Sequence, residues 1–527
     1  MSSNGRPWLL ALLLLGCGGP KGPLAPSTDP RVLEARRLLA EAGFPEGKGF
    51  PKLELLHNTA EWHQKVASAI QEMWRVNLGI SIELRNMEWP VFMGRVDRAE
   101  FDIARRGWYG EFYDPRAFLQ LFSSETGANV TGWSSGEFER LLSASDDEAD
   151  AVRRYELLAK AERLLLDGMP MMPICHYMGV NMLKPFVKGV HANPRDLHPL
   201  QDIWLEGAGA PADGTLIFNA GAEPQTLDPA LSHDMAGYKT LMNLFEGLVS
   251  PHPETSLAIA ATAERWEISP DGKTYTFHLR KASWSNGDPV TADDFVYAWR
   301  RVVDPVLGSS YSHLMYPIRN AREIVQKKSA PETLGVRAVD KTTLEVTLTH
   351  RTPYFIQVLC LNIFFPVHRG CLEKHGSKWL DPANLVGNGP FVMTQRIIKE
   401  KKVFEKNARY WDADRVRLRK VVYLSVERAE TAFDLYEGGQ CHWLFTVPIQ
   451  YAEDLRKSGR KDYVSFPVNG TYFYVFNTKK KPLDDVRVRR ALELAIAKED
   501  ITKHVLGGGE TPAARLTPML YPGYEVK

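Results

Sequence analysis

The stretch Glu206-Gly-Ala-Gly-Ala-Pro-Ala-Asp-Gly214 decides how the chain is read. Small residues and a proline, with no large apolar side chain, make it a linker in which nothing can pack. Before it, Leu200-Gln-Asp-Ile-Trp-Leu205 reads as the last strand of a finished fold. After it, Thr215-Leu-Ile-Phe-Asn-Ala220 reads as the first strand of a new one. The flanks predict the end and the beginning of one fold, joined in the wrong order.

On the N-terminal side, Asp29-Pro30 opens a helix, with aspartate at the N-cap and proline in the first turn. Leu38, Leu39 and Ala42 mark its buried stripe, and Gly43 stops it. A strand at Leu53–Leu56, a helix from Trp62 to Leu78 and an alternating strand at Gly79–Leu84 follow. A helix around Val91–Arg98 and a strand around Phe101–Ala104 complete an α/β alternation. Trp108-Tyr-Gly-Glu-Phe-Tyr-Asp-Pro115, just after Arg105, reads as an aromatic loop carrying two carboxylates. Open α/β sheets bind ligands at such strand ends, and a packing corner is the equal alternative. Helices around Phe138–Leu142 and Val152–Leu166 lead to two extended segments, Met171–Tyr177 and Val180–Leu183.

On the C-terminal side, Gly221–Pro229 is turn-rich and Met242–Val249 is an apolar helix end. Thr274-Tyr-Thr-Phe-His-Leu-Arg280 alternates, with Tyr275, Phe277 and Leu279 on one face. Asn286-Gly287 marks a turn, and Thr291-Ala-Asp-Asp294 caps a helix carrying Phe295 and Trp299. Leu344–Leu348 is a further strand and Asp485–Ala497 a strong helix. Thr517–Tyr524 is an aromatic loop that would continue naturally into Asp29-Pro30.

With 527 residues the chain has room for about three domains. Lys+Arg 65 against Asp+Glu 64 gives net +1 and no electrostatic reason to bind nucleic acid. A hydrophobic fraction of 44% with 24% charged residues is that of a soluble globular protein. Arg6 and the apolar run Trp8–Leu15, too short to span a bilayer, form the core of a signal peptide. The run ends in Leu14-Leu15-Gly16-Cys17, which resembles a bacterial lipobox with Cys17 as the lipidated residue. Export and membrane tethering through lipid follow; a cleaved signal with an incidental cysteine is the alternative. Cys175, Cys360, Cys371 and Cys441 allow three disulfide pairings, among which the sequence does not choose, and read best as structural cysteines. Their spacing to His176, His375 and His442 is not that of a zinc site.

Several ordered motifs carry a resemblance. They include Phe245-Glu-Gly247, Ala263-Glu-Arg-Trp266, Trp284-Ser-Asn-Gly287, Val386-Gly-Asn-Gly389, Tyr410-Trp411-Asp412 and Gly470-Thr-Tyr-Phe-Tyr474. The chain resembles the extracytoplasmic solute-binding proteins of dipeptide and oligopeptide ABC importers. The pattern resumes at the other end of the chain, in Gln71-Glu-Met-Trp74, Asn86-Met-Glu-Trp89, Phe101-Asp-Ile-Ala104 and Gly107-Trp108. The resemblance implies an α/β, two-lobed clam shell with an extra subdomain on one lobe, here circularly permuted. Residues 1–17 would be the lipoprotein signal and 18–28 a tether. Residues 29–178 and 471–527 would form the second lobe, 179–248 and 371–470 the first, and 249–370 the extra subdomain. The linker 206–214 would join the family's usual termini.

The function implied is capture of oligopeptides through their backbone and delivery to the membrane permease of an ABC importer. The protein would act as a monomer and not as an enzyme, with no cofactor, no metal and no nucleic acid. Carried over by position, the peptide-binding residues are His63, Trp89, Arg105, Trp108 and Glu111 from one lobe. Ala222, Glu223, Gln225, Tyr311, Tyr472 and Tyr474 complete the set. Glu111 stands where the family usually has an aspartate for the peptide's α-amino group, and a carboxylate suits an ammonium. Two other readings compete. Gly132-Trp-Ser-Ser-Gly136 has the spacing of a nucleophile elbow around Ser134, but Ser123–Thr131 lacks the apolar strand such an elbow needs. The other is a tethered peptide sensor or chaperone without transport.

Overall fold

The computed structural model describes residues 28–124, 128–219 and 221–526. The signal segment with Cys17, and the tether up to residue 27, lie outside the described residues.

Among the described residues, one mixed sheet of eleven strands organises the fold. Its strands are β1 (Leu53–Asn58), β2 (Ile82–Met87), β3 (Ile103–Tyr109) and β4 (Met171–Leu183). They continue with β5 (Thr215–Asn219), β6 (Phe391–Ile397), β7 (Lys401–Lys406) and β8 (Lys420–Leu424). The last are β9 (Trp443–Leu444), β10 (Tyr463–Phe476) and β11 (Thr511–Pro512). Their spatial order is β6-β7-β8-β5-β9-β4-β10-β3-β1-β2, with β11 against β4. At one end β1 pairs parallel with β2 and β3; at the other, β5 pairs parallel with β8 and β9. Parallel neighbours need crossovers, and the helices Glu61–Leu78 and Trp89–Asp97 supply two of them.

The long antiparallel strands β4 and β10 join the two ends. Their pairing runs from Tyr463↔Met182 to Pro467↔Met178, breaks, and resumes from Thr471↔His176 to Val475↔Met171. Before the break β4 also pairs with β9, and after it β10 pairs with β3. Pro467 has no N–H to give the ladder at the interruption. Close by, Gly179 allows Phe466 to approach, since a Cβ there would lie 2.8 Å from the Phe466 ring. The segments expected separately at Met171–Tyr177 and Val180–Leu183 are thus one strand of 13 residues.

Residues from both ends of the chain share one core. Trp74 donates to the Leu492 carbonyl at 2.8 Å and Asn77 Nδ2 to that of Ala495 at 2.9 Å, with Leu39, Ile70 and Val488 buried around them. The other end of the sheet carries a four-stranded antiparallel sheet beside it, ordered 263–268, 274–279, 343–347, 336–340. Tyr275, Phe277 and Leu279 bury one of its faces, as their alternation predicts. In the helix Ala292–Val303, Asp294 accepts from the Thr291 N–H at 2.8 Å, and Phe295 and Trp299 are buried.

Several of the sequence motifs meet at Glu246. Its carboxylate accepts from Tyr410 Oη, from Trp411 Nε1 at 2.8 Å and from Thr262 Oγ1 at 2.7 Å. Asn388 closes the loop, accepting from Glu246 N at 2.9 Å and donating to its carbonyl at 2.9 Å. Gly387 and Gly389 admit this contact, because a Cβ would lie 2.1 Å from Leu244 O and 2.6 Å from Leu244 C respectively.

Two expectations need correction. Leu200–Leu205 is not a strand of the main sheet: Leu200–Asp202 is a 3-10 turn, and Trp204–Leu205 pairs with Val187–Lys188 in a separate two-stranded sheet. Pro199 starts that turn, with Asp202 N donating to its carbonyl at 3.1 Å. Likewise Trp108 and Tyr109 are not loop residues; they extend β3, paired with Thr471 and Gly470. The linker itself is mostly exposed and pinned at both ends, by Glu206 N to Phe186 O at 2.8 Å and Thr215 N to Asp213 Oδ1 at 3.0 Å.

Candidate functional site

A cavity of about 440 Å³ opens at the end of β3. One wall comes from the end of β3 and its surroundings: Trp89, Arg105, Arg106, Trp108, Tyr109 and Glu111. The opposite wall comes from Arg195, Asp234, Met235, Tyr238 and Tyr311, with Leu361–Ile363 behind. A volume in this range, with apolar walls and a few placed polar groups, is that of a small-ligand site.

The polar groups are mostly held in place. Trp108 donates its indole N–H to the Ala117 carbonyl at 2.9 Å, so it offers the cavity its ring. Asp234 caps the helix Met235–Leu244, accepting from Gly237 N at 2.6 Å. Arg195 Nη2 donates to the Glu111 carbonyl at 2.7 Å, tying one wall to the other. The Glu111 side chain is different. One oxygen accepts from Gln120 Nε2 at 3.0 Å, while the other is buried without a hydrogen-bond partner. Burial pushes its carboxyl up to about 8, against the opposing pull of Arg195 and Gln120. The cavity therefore presents a carboxyl with one unpaired oxygen, which a cation beside it would ionise.

Of the sequence-predicted residues, the structure brings Trp89, Arg105, Trp108, Glu111 and Tyr311 to this cavity. Trp89 is half exposed there. His63, Tyr472 and Tyr474 are buried beneath it. Tyr472 lies under the Arg105 guanidinium at 5.0 Å and stacks with His63 at 5.6 Å, and its hydroxyl meets that of Tyr474 at 3.3 Å. Burial, with Arg105 adding to it, lowers His63 to about 2, so it stays neutral beside the arginine. These three residues support Arg105 from below the cavity. Glu223 is placed elsewhere, paired with Arg396 at 2.9 Å and Lys402 at 2.6 Å, and Ala222 and Gln225 are exposed beside it.

Arg195, Asp234 and Arg106 were not foreseen. Arg195 lies in an irregular segment with no periodicity, and only the tertiary fold carries it to Glu111. Asp234 was findable as an N-cap before Met235, though its place at the cavity was not.

A second chamber of about 300 Å³ lies beyond Tyr109, lined by Trp62, Tyr177, Asp196, Phe445 and Glu510 among others. Ser134 lies in an irregular segment before Ser135, the N-cap that accepts from Phe138 N at 3.3 Å, and among the described residues no strand leads into it. Among the described residues no group of three or more His, Cys, Asp or Glu side chains could hold a metal ion. Cys175, Cys360, Cys371 and Cys441 are all free and buried.

Comparison with known proteins places these observations. Residues 18–130 and 258–527 match the middle region that defines the bacterial extracellular solute-binding proteins of family 5. The periplasmic oligopeptide-binding protein OppA of Haemophilus influenzae is 39% identical over 308 residues, 58% of this chain and 57% of that protein. The probable deoxycholate-binding periplasmic protein YgiS of Escherichia coli is 40% identical over 329 residues, 61% of each. The solved structure of the Escherichia coli murein tripeptide binding protein MppA superposes with a TM-score of 0.54 at 37% identity. It covers 58% of this chain and 60% of that one. The chain thus spans less than two thirds of the length of the relatives it matches.

Proposed function

This chain belongs to the bacterial extracellular solute-binding proteins of family 5, and on that premise we propose that it captures short peptides by their free amino terminus. The observation that carries the proposal is the unpartnered Glu111 oxygen in a cavity that also presents Arg105, Arg106 and Arg195. A carboxyl faces an ammonium and guanidiniums face carbonyl or carboxylate oxygens, the charge pattern of a peptide rather than of a sugar. Aromatic faces at Trp89 and Trp108 add contact area that does not depend on one side-chain type. Capture proceeds by the two halves swinging together about β4 and β10 near their interrupted pairing. Delivery to the permease of an ABC importer, with the lipid on Cys17 as tether, completes the role; a sensor without a permease would use the same cleft.

Calorimetric titration with a short peptide and its N-acetylated form tests this. Micromolar or tighter binding of the free form is expected, with a loss of at least tenfold on acetylation. Equal affinities remove Glu111 from the anchor role, and a protein that binds deoxycholate but no peptide has the other ligand class represented among its relatives.

The proposal extends to the order of the chain. A description of the family's middle region matches both ends of this chain and leaves 131–257 unmatched, the interval that contains the linker. A fold whose natural ends were joined at the linker would have its unmatched stretch there. Shared packing of Trp74 and Asn77 with Leu492 and Ala495 is the physical counterpart, since one half is built from both ends of the chain.

A further inference from the structure

We infer that Tyr109 is a partition that sets the length of peptide the cleft accepts, an inference that rests on the peptide reading of the site. Among the described residues, the 440 Å³ cavity and the 300 Å³ chamber share a single lining residue, Tyr109. The residue ends β3, opposite Gly470. Its ring stacks on that of Tyr177 at 4.8 Å with the planes 7° apart. The residue is nevertheless 48% exposed, and it lines both spaces.

The partition is held rather than free. Tyr177 accepts a hydrogen bond from Arg105 Nη2 at 3.2 Å and meets Trp62 edge-on at 6.2 Å. Gly470 makes room for the pair, since a Cβ there would lie 2.7 Å from the Tyr177 ring and 2.9 Å from that of Tyr109. Any larger residue at 470 would push the stack apart. The chamber behind the ring is not simply a packing void. It carries the Glu510 carboxyl, one oxygen of which is buried without a partner. An extended peptide gains about 3.3 Å of reach per residue, so a ligand that has filled the first cavity meets the ring before it can enter the second. Taking away the ring would merge the two spaces into one groove.

The test is calorimetry of alanine peptides of two to six residues with the wild-type protein, Tyr109→Ala and Tyr109→Phe. Wild type is expected to favour the shortest peptides, with affinity falling at least tenfold towards the longest. Tyr109→Phe keeps ring and stack, and should keep that profile. Tyr109→Ala should move the maximum to longer peptides, gaining at least tenfold for the longest relative to the shortest; Tyr109→Leu serves as well should the alanine variant not fold. An unchanged length profile in a folded ring-less variant overturns the partition while leaving peptide capture intact. Failure of wild type to bind any peptide overturns the peptide reading and the partition with it.

Discussion

Glu111→Gln is expected to weaken binding of a free-amine peptide roughly ten- to hundred-fold. A hydrogen bond to a charged group contributes about 1.5–3 kcal/mol, and each 1.4 kcal/mol is tenfold in affinity. Glutamine keeps the shape and the contact with Gln120 but cannot carry the counter-charge. A second signature separates this from a loss of shape. Burial raises the empty-site carboxyl to about 8, so at pH 7 it is protonated before the ligand arrives. An ammonium against the unused oxygen favours the carboxylate, so binding at pH 7 should release close to one proton. That release should fade as pH rises past about 8, where the carboxyl is already ionised. Calorimetry in two buffers of different ionisation enthalpy reads the proton directly, and Glu111→Gln should abolish it. The same shift acts on the unliganded fold. A raised carboxyl contributes stability that is fully present below its unfolded value and is lost as pH rises through the folded one. The empty protein should therefore lose stability between about pH 4.5 and 8, less so in Glu111→Gln, and ligand should restore it.

Glu246→Leu carries the largest expected cost in stability, about 3–5 kcal/mol. Three donors, Tyr410 Oη, Trp411 Nε1 and Thr262 Oγ1, lose their common acceptor in a buried place. Each buried donor left unpaired costs about 1–3 kcal/mol, and relaxation recovers part of the sum. The Arg280 guanidinium, 3.6 Å over the Trp411 ring, then stands near a site that has lost its carboxylate. Burial raises the Glu246 carboxyl even in this network, although Tyr410, Thr262 and Trp411 pull it down. Glu246→Gln, which still accepts, should cost clearly less than leucine. Urea denaturation of both variants measures the difference. Leucine costing no more than glutamine would mean that the convergence on Glu246 is packing and not hydrogen bonding.

Much of the fold is legible in the residues alone. The strand–helix alternation, the Asp29 and Thr291 caps and the alternating face at Tyr275, Phe277 and Leu279 all follow from local rules, and all are present. The motifs at 245–247, 386–389 and 410–412 were visible as words, and their meaning as one buried network was not, because it needs the three-dimensional meeting at Glu246. The same limit applies at the site. Arg105, Trp108 and Glu111 lie within one short run, whereas Arg195 comes 84 residues later in sequence and reaches Glu111 only across the cleft. Local pattern also misjudged lengths. Six apolar-tinged residues at Leu200–Leu205 look like a strand until Pro199 turns the chain, and Met171–Tyr177 and Val180–Leu183 look like two segments although β4 runs through both.

If the chain is one receptor in a shifted order, restoring the order should keep both fold and binding. A chain running 214–527 and then 29–205 should fold cooperatively, melt close to the parent and bind the same short peptide with unchanged Kd. A reordered chain that does not fold, or that folds and no longer binds the peptide bound by the parent, would contradict it.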